Sequence, residues 1–130
     1  MKTVLSLGVA IGLVTLATVA HAGGVLASPA IFGGYNQARA TCLLVNVGDR
    51  NIRVQAGIFD ESGNALPIDD NCSNVGIGPG GYCSVAASGL ASGIAFACSA
   101  TVQSSSVKSV RGTFMLTDDS YMLLRQTTLR

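Results

Sequence analysis

From Arg39 onward the chain alternates apolar and polar residues with a period of two, the signature of half-buried β-strands. The most regular run is Gly93 to Gly112. There Ile94, Phe96, Cys98, Ala100 and Val102 fall on one parity and Ala95, Ala97, Ser99 and Thr101 on the other. After a polar turn at Gln103–Ser106, an inward row resumes with Val110, Gly112, Phe114 and Leu116. The stretch reads as a hairpin whose Cys98 points into a core. Upstream, Arg39–Val47 is apolar on both parities through its middle, which predicts a strand covered on both faces or carrying a bulge. Ile52–Asp60 is a clean amphipathic strand, and Ala65–Ile68 is its expected short partner, demoted to an edge by Pro67. Tyr82–Ala87 alternates again, and Tyr121–Thr127 supplies a final strand. Turn residues recur roughly every 8 to 12 positions, and no stretch after Ala22 shows a capped amphipathic helical period. The pattern predicts an all-β antiparallel β-sandwich of seven or eight strands over residues 39–130.

The first 38 residues follow a different pattern. Val4–Ala20 is an unbroken run of aliphatic and small residues after Met1-Lys2, and it ends in Ala20-His21-Ala22. That is the form of a secretory signal peptide with an Ala-x-Ala cleavage site, residues 1–22. No Lys or Arg cluster follows it as a stop-transfer signal, so no membrane insertion is expected after cleavage. Gly23–Ala38 holds four glycines and a proline among scattered apolar residues and reads as a flexible leader, residues 23–38. Its Val25, Leu26, Ile31 and Phe32 suggest a second use, as a strand added to another subunit's sheet edge.

Export changes the reading of the cysteines. Cys42, Cys72, Cys83 and Cys98 are an even set in a chain bound for an oxidising compartment, where disulfides are the first expectation. Of the three possible pairings, Cys72 with Cys83 is favoured because Gly76, Gly78, Pro79, Gly80 and Gly81 let the intervening loop turn back. Cys42 is then left to Cys98 across the core. A four-thiolate zinc site is the rival, but the spacing lacks the C-x-x-C knuckles of such sites.

Charge and chemistry narrow the function classes. Without residues 1–22 the chain carries seven basic and seven acidic residues and no histidine. A neutral surface offers no basic footprint for nucleic acid. With no histidine and no free thiol expected, the usual general base and thiol nucleophile are missing, and no catalytic residue or cofactor is assigned. Ser104–Ser106 beside Lys108 read as a turn. Asp60, Glu61 and Asn64, followed by Asp69, Asp70 and Asn71, hold the oxygen types calcium takes, at a spacing unlike an EF-hand loop; turn capping is the simpler role. Tyr35, Tyr82 and Tyr121 are thin material for a sugar platform. Arg111 faces away from the core and is expected to pair with a carboxylate such as Asp60.

Cys42–Gly48 (CLLVNVG), Ile52–Asn64 (IRVQAGIFDESGN), Ile77–Gly81 (IGPGG) and the ACSATV and VKSVRG runs around residues 97–112 together resemble small secreted bacterial proteins of unknown function with immunoglobulin-like or fibronectin-like sandwiches. That resemblance implies a fold and no catalytic residue. The sequence therefore points to a secreted or periplasmic, disulfide-stabilised, non-enzymatic binding or structural protein. Its partner is an unknown protein or another copy of itself. The alternatives are a filament subunit joined through its N-terminal segment and a calcium- or carbohydrate-binding module.

Overall fold

The computed structural model describes residues 23–73, 75–103 and 106–130; the signal-peptide reading falls on residues outside these. Eight strands form two antiparallel sheets. The smaller sheet holds β1 (Gly24–Ala27), β6 (Phe96–Gln103) and β3 (Arg53–Asp60), with β6 in the middle. The larger runs in the order β4 (Asp69–Asp70), β5 (Tyr82–Ser88), β2 (Arg39–Asn46), β7 (Val110–Thr117) and β8 (Leu123–Leu129). Sheet on sheet is the sandwich that the alternation predicted, with the inward rows of both sheets meeting as one core.

Those rows are the ones visible in the sequence. Ala40, Cys42, Leu44 and Asn46 of β2 are fully buried, as are Val54 and Ile58 of β3, Phe96 to Val102 on alternate positions of β6, and Phe114 and Leu116 of β7. Each fully buried Val, Leu, Ile or Phe side chain contributes on the order of 1.5–3 kcal/mol. Gly112 sits in the same inward row because a Cβ there would lie 3.0 Å from both Leu44 and Leu129. β2 is apolar on both parities because it is central to its sheet. Its outward residues Leu43 and Val45 are half-covered, and its ladder to both neighbours is regular, without a bulge.

Four expectations change. The Gly93–Gly112 stretch is not a hairpin: β6 and β7 lie in different sheets and face each other across the core. A short 3-10 turn at Val107–Ser109, capped by Ser106, carries the chain over. β1 and β3 occupy both sides of β6, so β7 pairs with β2 instead. The glycine-rich leader is no loose segment, since β1 adds to β6 and buries Leu26. Ile31 bridges Phe96, and the backbone of Ala27 exchanges two 3.0 Å bonds with Arg130 beyond β8. Within the chain, Gly24–Ala27 of this segment adds as a strand to β6. Ala65–Ile68 forms only an isolated bridge to Phe59 and one bond from Leu66 N–H to Ile58 O, since Pro67 has no N–H to continue a ladder. The last strand starts later, at Leu123, because Tyr121 takes a positive φ of 64° in the preceding turn.

Two disulfides lock the sandwich. Cys42 of β2 joins Cys98 of β6 across the core, and Cys72 joins Cys83 of β5. The first closes 56 residues of chain and the second 11. In the chain-entropy view they are worth roughly 4 and 3 kcal/mol. Replacing Cys42 and Cys98 by alanine is expected to lower the urea unfolding free energy by about 4 kcal/mol or more, and the Cys72/Cys83 double alanine by about 3. Equal losses, or the reverse order, would show that constraint of the unfolded chain does not set their value.

Candidate binding cleft

The two sheets do not close equally on their two sides. On one side the Ala27–Arg130 backbone pair draws β1 and β8 together. On the other the edges β3 and β4–β5 are separated by residues 65–68, and a cleft of about 540 Å³ opens between them. Apolar Phe96, Ile94, Leu90, Leu66 and Ile68 line it, together with Ala86 and Ser88 of β5. Asp60 and Asp69 belong to the lining too, and among the described residues no Lys or Arg does.

A buried amide holds two of the lining residues in place. Gln37 is 4 % exposed and its Nε2 donates to the carbonyls of Ala91 (2.9 Å) and Ile94 (2.8 Å), while its Oε1 accepts from Gly33 N–H at 2.9 Å. Two loops at this end of the sandwich, residues 28–38 and 89–95, are thereby tied by one side chain. Glu61 adds a fourth tie, accepting from Ala95 N–H at 3.1 Å. Asn46 does the same at the far end. It is fully buried, donates to the carbonyls of Arg50 and Ile77, and accepts from Gly48 N–H. Neither amide stood out in the sequence. Asn46 continues the inward parity of β2, which is the one signal that could have found it.

Of the carboxylates singled out as calcium oxygens, Asp60 and Asp70 serve their own turns. Asp60 Oδ1 accepts from the N–H groups of Ser62 and Asn64 and its Oδ2 from the Asn64 side chain, and these bonds, the Asn64 side chain first, hold its pKa below the usual 3.8. Burial alone would raise Asp70, but bonds from Ser73 and from Cys72 N–H outweigh it and keep that group low as well. Asp118 caps Ser120 and Met122 in the same manner. Among the described residues no three acidic, Cys or His groups come together in a metal-holding arrangement.

The remaining candidates scatter. Tyr35, Tyr82 and Tyr121 are all more than two-thirds exposed and lie on separate loops or strand ends. Tyr35 meets Phe32 edge-on, and Tyr121 lies under the Arg39 guanidinium at 4.6 Å, a cation–π contact. Arg111 does not reach Asp60. It donates to the carbonyls of Lys108 and Val110, at the opposite end of the sandwich. Ser106 caps the 3-10 turn through a bond from Lys108 N–H. All four cysteines are in disulfides. Compared with known protein families, characterised proteins and solved structures, the chain matches none.

Two tests follow from these bonds. Gln37→Ala leaves two carbonyls and one N–H without their partner, so a loss of about 1–3 kcal/mol in urea unfolding is expected, with faster hydrogen exchange at Gly33. Asp60 and Asp70 have depressed folded values, so their stabilisation is complete above the unfolded-state value near 4 and is lost as pH falls through the lower folded values. The urea midpoint should stay flat from neutrality to about pH 5 and drop below about pH 4, and Asp70→Asn should remove part of that drop.

Proposed function

We propose that the protein is an exported, non-enzymatic binding sandwich that receives a cationic, partly apolar group of a partner in the cleft between β3 and β4–β5. The observation that carries this reading is the cleft's make-up: apolar Phe96, Ile94, Leu90, Leu66 and Ile68 line it together with Asp60 and Asp69, and among the described residues no basic one does. Concave, mostly apolar sites with a few placed polar groups are the usual form of a binding site. The turn bonds, the Asn64 side chain first, hold the Asp60 carboxyl below the usual range, and Asp69 is exposed.

Export is supported by the apolar Val4–Ala20 run with its Ala20-His21-Ala22 end and by two disulfides, which belong to oxidising compartments outside the cytoplasm. A non-enzymatic role is supported by the absence of histidine after His21 and by the commitment of all four cysteines to disulfides. Kinship with small secreted immunoglobulin-like sandwiches belongs to the same proposal. It is supported by the core disulfide joining one strand of each sheet, the arrangement of the inter-sheet bridge in antibody domains.

The probe is hexylammonium, with hexanoate as its charge-reversed control, followed by amide chemical shifts. Hexylammonium is expected to move the signals of Ile68, Ala86, Leu90 and Ile94, with about tenfold weaker binding in the Asp60→Asn/Asp69→Asn double variant. Equal responses to both probes, or no response in the cleft, would overturn the reading.

A further inference from the structure

The fourteen charges of residues 23–130 cancel in number but not in position. β2 ends at Asn46 opposite Val110, and β3 starts at Arg53 opposite Gln103. Val47 N–H bonds to Ser109 O, and the Asn46 side chain bonds to Arg50 O. These links put Arg50, Arg53, Lys108 and Arg111 at one end of the sandwich. Arg130 joins them, since it lines a shallow depression together with Lys108 and Arg111. All five are exposed, and Asp49 is the one acid among them.

The opposite end reverses the sign. Gln37 ties residues 33, 91 and 94 together, Glu61 reaches Ala95, and Ala38 N–H bonds to Thr117 O just ahead of the Asp118 turn. Asp60, Glu61, Asp118 and Asp119 gather here, and Asp69 and Asp70 lie on the adjoining edge strand beside the cleft. Arg39 and Arg125 are the two bases on this side, and Arg39 is already stacked on Tyr121. The sandwich is an axial dipole of near-zero net charge.

Both ends also expose apolar side chains. Val25, Val47 and Tyr82 are more than half exposed at the basic end, as are Tyr35, Tyr121 and Met122 at the acidic end. A surface that pairs five cations with exposed valines matches a cleft lined by apolar side chains and two aspartates. We infer that the partner is a second copy of this chain, its basic end seated in the acidic cleft of the next, so that copies join head to tail. This rests on the cleft reading above and names its occupant. The contact is heterologous, so it leaves one free acidic and one free basic end at every stage and extends unless the rotation closes a ring. Complementary ends steer the encounter and set its polarity.

Exposed ion pairs are individually weak and are screened by salt. The purified protein is therefore expected to associate at millimolar concentration in low-salt buffer, with the dissociation constant rising about tenfold or more as salt is raised toward 0.5 M. Two neutralised variants define the geometry. Asp60→Asn/Asp69→Asn keeps the turn acceptor of residue 60 but removes the charge of both aspartates, and Lys108→Gln/Arg130→Gln alters exposed side chains alone. Each by itself should sediment as a monomer. Mixed in equal amounts they should give a 1:1 dimer and nothing larger, because each retains the face the other has lost. A wild-type monomer at millimolar concentration in low salt, variants that assemble like wild type, or a mixture that stays monomeric would each overturn the inference. Hexylammonium binding in a strictly monomeric wild type would leave the cleft reading standing and remove the head-to-tail contact; a 1:1 mixed dimer without hexylammonium binding would do the reverse.

Discussion

The Cys42–Cys98 bridge is the constraint on which the rest of the sandwich depends. Aromatic residues are 5 % of the chain and there is no tryptophan, so the space between the sheets is filled by Val, Ala, Leu and Ile around two phenylalanines. Small side chains bury little area each and leave a thin margin in a domain of this size. The bridge joins β2 and β6, each with neighbours on both sides, at positions no more than 1 % exposed. It therefore sets the separation of the sheets at their most covered point, and the ladders on either side build outward from it. Next to it, Ser28 accepts from Cys98 N–H and donates its own N–H to Cys98 O, which docks the β1 segment onto the same residue.

What the bridge does for the middle, two amides do for the ends. Gln37 and Asn46 are the buried polar side chains of the described residues, and each makes three bonds to loop backbone. A buried amide is tolerable only when its partners are fixed. The requirement works in both directions, since loops rich in glycine, such as 76–81 and 89–93, acquire a defined path from it. The cleft wall and the basic end are shaped by the same device at opposite poles.

The inward rows, the strand count and the cysteine pairing could be read from the sequence because each is a local statement about parity or loop length. Partner choice could not. The rows Phe96–Val102 and Val110–Leu116 say which face is buried and nothing about which neighbour is bonded, so two strands four polar residues apart looked like a hairpin when they cross between sheets. The leader failed for a related reason. Gly24 and Ala27 are poor strand formers, and β1 exists because β6 supplies a ladder some seventy residues away. The cleft was invisible too, for it is assembled from residues at 60–69, 86–91 and 94–96 that share no motif. Asp60 and Asp69 were noticed in the sequence for their oxygens; their shared place in the lining of one cleft is a tertiary fact.

The backbone pair between Ala27 and Arg130 governs the order in which this chain can acquire its structure. β1 has no ladder until β6 exists, and its outer edge has no partner until β8 arrives. A nascent chain still lacking residues 96–130 therefore holds no complete sheet, whatever its local turns do. The short Cys72–Cys83 loop can close early, whereas Cys42 must wait for a partner 56 residues on. Folding by such distant pairings is intrinsically late and slow. The topology places formation of the core late, after β6, β7 and β8 have all been made.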